Sequence, residues 1–240
     1  MLEVRELTKS YRKKKVVDRL SFSVAPREIF ALIGTNGAGK STTIKIILGL
    51  TKADAGEAHA SEGTIGYLPE TPHLPPHLSA REVLRYYGRL QKIDRKTLEE
   101  EIGTLLETVG LRDDRTRVKH FSKGMIERLA MAQALLGDPK MLILDEPCTG
   151  LDVSGRKDML ALIRRLADEG KTILINSHIL ADLEKICDRG MILLDGECVR
   201  TFERQDLKAS TLEMIFEEAM DSVAAKGGAS DECHRSLSNL

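Results

Sequence analysis

The sequence predicts an α/β fold: a mixed, largely parallel sheet with an N-terminal antiparallel β-subdomain and a helical subdomain insertion. Residues 29–33 are an apolar run that stops in a glycine-rich turn, after which a helical pattern starts. Residues 141–144 and 172–175 are apolar throughout, as is typical of strands buried on both faces of a parallel sheet. Residues 2–4 and 20–24 instead alternate between apolar and polar, which favours antiparallel strands with one solvated face.

Composition limits the possible classes of protein. The 240 residues are 42% hydrophobic, enough for one domain or one domain with a subdomain. The formal net charge of −1 gives no electrostatic footprint for nucleic acid, so no nucleic-acid partner is expected. The mixed-charge start has no long apolar stretch behind it, so we do not expect it to be a signal peptide. No window approaches the roughly 18 apolar residues of a membrane span, and we expect a cytoplasmic protein.

The cysteines also indicate a reducing compartment, because they are scattered and show no C-x-x-C spacing. They are Cys148, Cys187, Cys198 and Cys233. We expect Cys187 and Cys198 to be small core residues.

The glycine-rich turn at residues 34–41 has the pattern G-x-x-x-x-G-K-S and predicts a phosphate-binding loop. Glycines let successive backbone amides curl around an anion, and the following helix directs its positive dipole end to the same place. Lys40 would reach the outer phosphates and Ser41 would offer its hydroxyl to Mg²⁺. The fold class is therefore predicted to have a P-loop NTPase core. The predicted nucleotide-binding residues here are Gly34, Thr35, Asn36, Gly37, Ala38, Gly39, Lys40, Ser41 and Thr42.

The segment before this loop, residues 1–28, predicts antiparallel strands with a basic bulge at 12–15. Tyr11 either stacks on a nucleotide base or is a half-buried strand tyrosine, and both interpretations remain open. After the loop helix, a poorly patterned stretch from Ala55 leads to a strand at 64–69 that ends in the carboxylate of Glu70.

Residues 72–138 predict the helical insertion. Ser79 and Glu82 form a capping box for one helix, a second helix runs through 98–109, and Gly110 closes it. Ser122 then caps a helix that continues to Leu136.

Polar residues end the two buried strands. The first is followed by Asp145 and Glu146, and the second by Asn176, Ser177 and His178. Open α/β sheets bind their ligands at the carboxyl ends of parallel strands, so these residues predict a functional site at that edge of the sheet.

The C-terminal part predicts a hairpin across Asp195 and Gly196 and a last helix at 211–220. The polar, glycine-containing residues 221–240 predict a disordered tail. Residues 1–220 are therefore predicted to form the folded domain that contains the phosphate-binding loop.

The order of these motifs resembles the nucleotide-binding subunit of ATP-binding-cassette (ABC) transporters. The likeness is greatest to stand-alone bacterial ATPases that energise export-type permeases. It is carried by residues 67–70 (Tyr-Leu-Pro-Glu), 121–125 (Phe-Ser-Lys-Gly-Met) and 211–216 (Thr-Leu-Glu-Met-Ile-Phe).

The resemblance implies ATP and Mg²⁺ as cofactors. Tyr11 would stack on the adenine, and Asp145 would hold Mg²⁺ together with Ser41 and Glu70. Glu146 would be the general base for the attacking water, while His178 would hold the γ-phosphate and help to orient Glu146.

The resemblance also implies partners. Ser122 and Gly124 would clamp the γ-phosphate bound by a second copy, in a homodimer or in a pair with a second ATPase subunit. The surface after Glu70 would dock on an integral-membrane permease. The chain would then work peripherally at the inner face of the cell membrane, where ATP closes the dimer and hydrolysis reopens it.

Some positions depart from the family pattern. Glu70 stands where glutamine is usual, and Lys123 interrupts the usual signature glycines. Lys123 could help to hold a phosphate across the interface or could be a solvated lysine in the first turn of its helix.

Two other classes of function are compatible with parts of this pattern. A soluble ABC-type ATPase could serve a non-transport complex, such as iron–sulfur assembly or nucleic-acid maintenance. A nucleotide-binding regulator without turnover is disfavoured by the intact set of Lys40, Asp145, Glu146 and His178.

Overall fold

The computed structural model describes residues 1–12, 14–60 and 63–236. Lys13 of the predicted basic bulge, residues 61–62 and residues 237–240 lie outside the described residues. The strands are β1 (Leu2–Tyr11), β2 (Lys14–Val24), β3 (Ile29–Gly34), β4 (Ala55–Ala60), β5 (Ile65–Leu68), β6 (Met141–Asp145), β7 (Thr172–Asn176), β8 (Arg189–Leu194) and β9 (Glu197–Glu203). The helices are α1 (Lys40–Ile47), α2 (Ala80–Leu90), α3 (Arg95–Thr108), α4 (Lys123–Leu135), α5 (Val153–Asp168), α6 (Leu180–Ile186) and α7 (Leu212–Ser236).

A six-stranded mixed sheet forms the centre, in the order β5-β6-β7-β3-β8-β9. All neighbouring pairs are parallel except β8 and β9, which form the predicted hairpin. Strands β6 and β7 are buried along their whole length, as their continuous apolar sequences predicted. The predicted α/β class is confirmed, and the carboxyl ends of β3, β6 and β7 come together at one edge.

A second sheet has three antiparallel strands in the order β2-β1-β4. The first two were predicted from alternation, but β4 lies in the stretch that showed no clear pattern. Its pairing places Ala60 opposite Leu2 and Ala58 opposite Val4. Because small side chains at a sheet edge carry little hydrophobic signal, the periodicity of the sequence could not reveal this strand.

Three helices, α2 to α4, lie between β5 and β6 in the chain. The predicted caps are confirmed: Ser79 and Glu82 form a reciprocal capping box, and the Ser122 hydroxyl accepts from the Met125 amide. Apolar faces of these helices pack into the same hydrophobic core as one face of the central sheet.

Two expectations, about the length of the last helix and about the cysteines, differ from the structure. Helix α7 continues to Ser236, whereas the sequence analysis ended the last helix at residue 220. Val223 packs against the core, and a helix already anchored by packing can propagate through polar residues. Cys187 is buried as expected, but Cys198 is exposed because it lies on the outer strand β9. Within the described ranges, no helix has both the length and the apolar character needed to cross a bilayer.

Candidate functional site

The predicted phosphate loop connects β3 to α1, at the carboxyl edge of the central sheet. Gly37 and Gly39 have φ values of 83° and 104°, in the left-handed region that favours glycine. A side chain at Gly39 would also collide with the carbonyl oxygen of Val16. The glycines are therefore required by the path of the backbone.

Lys40 begins α1 and is only 8% exposed. Its ammonium donates to the carbonyl oxygens of Gly34 at 2.6 Å and Thr35 at 3.0 Å. Burial lowers the pKa of Lys40, whereas the charges of Glu146, Asp145 and Glu70 raise it. This cation is thus held inside the loop and faces the three carboxylates that the sequence singled out.

A cavity of about 410 Å³ opens over this loop. Its walls come from the loop, from the ends of β6 and β7, and from the segment after β5. They are formed by Val16, Asn36, Gly37, Ala38, Gly39, Lys40, Ser41, Thr42, Glu70, Glu146, Asn176 and His178. Backbone amides at a helix N-terminus together with a lysine make this cavity chemically suited to phosphate groups.

Glu146 and His178 meet at the edge of this cavity. Nδ1 of His178 lies 2.7 Å from Oε2 of Glu146, and the Thr149 hydroxyl donates to the same oxygen at 3.3 Å. Glu146 has φ 56°, an unfavourable conformation for this residue type, and its amide donates to the carbonyl oxygen of Asn176. These contacts thus maintain a strained backbone conformation that places a buried carboxylate beside the phosphate loop.

Asp145 contacts Asn176, which the sequence analysis placed among the strand-end residues but to which it gave no specific role. Its Oδ1 accepts a hydrogen bond from Nδ2 of Asn176 at 2.5 Å, across the β6–β7 register pair. Burial raises the pKa of Asp145 and the charge of Glu70 raises it further, while the Asn176 hydrogen bond and Lys40 oppose the shift. The available signal was the position of Asn176 at the end of a buried parallel strand.

The donor set fits Mg²⁺. Ser41, Glu70 and Asp145 line a common cavity of about 570 Å³ next to the phosphate loop. Hydroxyl and carboxylate oxygens are the ligands that this hard cation prefers. The repulsion by which Glu70 raises the pKa of Asp145 is one that a divalent cation would relieve.

Three predicted residues lie away from the cavity over the loop. Tyr11 is 47% exposed at the end of β1, where the Lys9 ammonium lies 5.6 Å from its ring centroid. Ser122 is exposed at the start of α4, and Gly124 lies near the side chain of Leu151. We call residues 122–125, at the start of α4, the Ser122 turn. In the described part of the chain, one molecule therefore brings the loop, carboxylates and histidine together without this turn.

This fold and site define the P-loop class of nucleoside-triphosphate-hydrolysing domains. The family model for ABC transporters matches residues 17–149. The chain belongs to the ABC transporter family as an ATP-binding subunit. It is an ATPase that couples ATP hydrolysis to transmembrane transport.

Individual relatives agree with this assignment. The Nod factor export ATP-binding protein I of Rhizobium etli is 37% identical over 218 residues, which cover 86% of this chain and 69% of that protein. A solved ATP-binding subunit of an ABC transporter is 32% identical with a TM-score of 0.83, covering 92% of this chain and 99% of the other. A dimeric ATP-binding cassette in a post-hydrolysis state with ADP and Pi shares the fold, with a TM-score of 0.78, 22% identity, and coverage of 85% and 99%.

Proposed function

We propose that this subunit powers an exporter: ATP closes a dimer of two such subunits, and hydrolysis reopens it. The observation that carries the proposal is the arrangement around the cavity over the loop. Lys40, Glu146 and His178 line that cavity in one chain, whereas Ser122 is exposed elsewhere on the same chain. One molecule thus holds the groups for binding and proton transfer but lacks the predicted clamp.

Binding begins with the loop. Its amides and the ammonium of Lys40 hold the ATP phosphates, and the adenine stacks on Tyr11. Ser41, Glu70 and Asp145 hold Mg²⁺, which neutralises charge on the terminal phosphates when bound. Asn176 keeps Asp145 oriented through the hydrogen bond to its Oδ1.

Hydrolysis uses the Glu146–His178 pair. Glu146 accepts a proton from the attacking water, and His178, 2.7 Å from that carboxylate, keeps it oriented and contacts the γ-phosphate. Because Thr149 also donates to Glu146 Oε2, the carboxylate is held from two sides. This positioning reduces the entropy lost in reaching the reactive geometry.

The second chain supplies the clamp. Ser122 and Gly124 lie at the N-terminus of the 13-residue helix α4, an end whose amides and dipole favour an anion. They would contact the γ-phosphate held by the loop of the partner copy. A solved cassette with the same fold is dimeric, which supports the pairing of two copies.

Export and docking complete the proposal. The segment after Glu70 precedes α2 and would dock on an integral-membrane permease, which places the subunit at the inner face of the cell membrane. A relative named for Nod factor export supports the direction of transport. The transported substrate would be selected by the permease.

Mixing two inactive variants tests the shared site. In a mixed dimer of Lys40→Ala and Ser122→Arg chains, one site keeps an intact loop and an intact clamp, so mixing should restore ATPase activity well above that of either variant alone. The matched control mixes Lys40→Ala with Glu146→Gln, whose lesions fall in the same half of a site and should not complement. Activity after mixing no greater than in the separate variants, in chains shown to associate, would contradict the two-chain site.

A further inference from the structure

Glu127, on the helix that carries the Ser122 turn, is a buried carboxyl group that the proposed mechanism does not use. Its side chain is 2% exposed, and within the described residues its Oε2 has no hydrogen-bond partner. An ionised carboxylate in such a place costs free energy unless a cation compensates it. Burial raises the pKa of Glu127 to about 7, so this group changes charge near neutral pH.

The cation available to Glu127 is Lys123, one helical turn earlier on the same face of α4. Among the described residues, its charge is the one that lowers the pKa of Glu127. The structure nevertheless places the Lys123 side chain along Gly150, where even a Cβ atom would collide with it. Gly150 has φ 74° and belongs to the loop that follows Glu146. Lys123 therefore bridges the Ser122 turn and this loop.

The other titratable groups near Glu127 are neutral or already paired. On the loop side is the Cys148 thiol, whose pKa burial raises to about 12, so it stays protonated. The remaining charges around that thiol are Glu146, which contacts His178, and the ion pair of Arg156 with Asp182 at 2.8 Å. Among the described parts of α2, α3 and β5, which pack against α4, no charged group acts appreciably on Glu127.

We propose that Glu127 is a positioning residue that competes with the Gly150 loop for Lys123. The charge state of the Glu127 carboxyl thereby determines the placement of the Ser122 turn. When Glu127 is neutral, Lys123 lies along Gly150 and holds the turn against the loop. When Glu127 is ionised, its carboxylate draws the ammonium back along α4 and the bridge to the loop is lost. This inference rests on the proposed function in one respect, since it takes the Ser122 turn to be part of the ATPase site.

The fraction of neutral Glu127 falls about tenfold between about pH 6 and about pH 8, given a pKa of about 7. Glutamine has the shape of the neutral acid and cannot ionise. The ratio of wild-type to Glu127→Gln kcat/KM should therefore fall up to about tenfold over that interval, because any pH dependence that the two proteins share cancels in the ratio. Lys123→Met should abolish the fall, so that Glu127→Gln has the same effect at every pH in that background.

Stability supplies a second measurement that does not depend on dimerisation. The pKa of Glu127 is raised on folding, so the folded state holds the proton more tightly than the unfolded state. The stability of the wild type relative to Glu127→Gln is therefore greatest below the pKa that Glu127 has in the unfolded chain. It falls as the pH rises from that value to the folded pKa of about 7, and it is constant at higher pH. Glu100→Gln, which changes an exposed glutamate on α3, is the matched control and should show no such trend.

The two readouts separate the possible failures. If the difference in unfolding free energy between wild type and Glu127→Gln, measured in urea, does not change with pH, the claim that Glu127 is a buried carboxyl that titrates near neutral pH is wrong. A normal stability trend with a constant activity ratio, or a ratio that still falls in the Lys123→Met background, would overturn its action through Lys123. If the activity ratio behaves as expected while the Lys40→Ala and Ser122→Arg chains fail to complement, the two-chain site is wrong and the role of Glu127 stands within one subunit.

Discussion

His178 and Glu146 are 32 positions apart in the chain, yet Nδ1 of His178 lies 2.7 Å from Oε2 of Glu146. The contact follows from register. Strands β6 and β7 are parallel neighbours in which Asp145 pairs with Asn176, so the residues just beyond these ends meet at the same edge of the sheet. The pair lies beside the phosphate loop, which makes Glu146 the sharpest position for a test of the chemistry.

Glu146→Gln should bind ATP normally and hydrolyse it at least about a hundredfold more slowly, because an amide of the same shape cannot accept the proton of water. Single-turnover hydrolysis and equilibrium nucleotide binding measure the two effects. Since hydrolysis is proposed to separate the subunits, the variant should also accumulate as an ATP-dependent dimer in size-exclusion chromatography with light scattering. Glu169→Gln, at the exposed end of α5, is the control. Wild-type turnover together with a monomer in ATP would exclude both the base assignment and the clamp.

Lys40→Ala should abolish ATP turnover and weaken nucleotide binding. The variant removes the ammonium that holds the Gly34 and Thr35 carbonyls and faces the carboxylates of the site. Steady-state ATPase assays and fluorescent-nucleotide titration provide the measurements. Lys52→Ala removes an exposed lysine beyond α1 and should leave both unchanged. Hydrolysis near the wild-type rate in Lys40→Ala would end the assignment of the phosphate loop.

Substitutions between His73 and Leu78 should uncouple transport while sparing basal ATPase activity. This segment lies between Glu70 and α2, and the Tyr87 hydroxyl holds the carbonyl oxygen of His73 at 3.2 Å. His77→Glu places a charge at an exposed position of the segment, with Arg115→Ala in another exposed loop as the control. Transport and ATPase activity would be measured with the permease in vesicles. Full transport by His77→Glu and by further variants across 73–78 would place the docking surface elsewhere.

Glu99→Gln should destabilise the protein at neutral pH by about 1 kcal/mol, the scale of a partly exposed ion-pair network. Glu99 on α3 accepts from Arg85 at 2.5 Å and from Arg81 at 2.9 Å, and these bonds lower its pKa to about 2. Because the pKa of Glu99 is lower in the folded protein than in the unfolded chain, the stabilisation is fully present above the unfolded-state pKa. It is lost as the pH falls towards about 2. Urea unfolding near pH 7 and near pH 3 should show a smaller difference at the lower pH. An equal difference at both would mean that Glu99 acts through packing.

Local patterns in the sequence determined much of the fold and the types of groups at the site. Continuous apolar runs predicted β6 and β7, side-chain caps predicted α2 and α4, and the glycine-lysine spacing predicted the loop at 34–41. These features depend on residues within a few positions of one another, so the amino-acid sequence alone reveals them.

Only the tertiary structure decided which distant residues touch and which are buried. Strand β4 forms because its backbone pairs with β1, and Cys198 is exposed because β9 lies at the edge of the sheet. Asn176 meets Asp145 through strand register, and Glu127 is buried by the packing of α4. Burial and register are properties of the assembled layers, and they depend on residues far apart in the chain that no local pattern encodes.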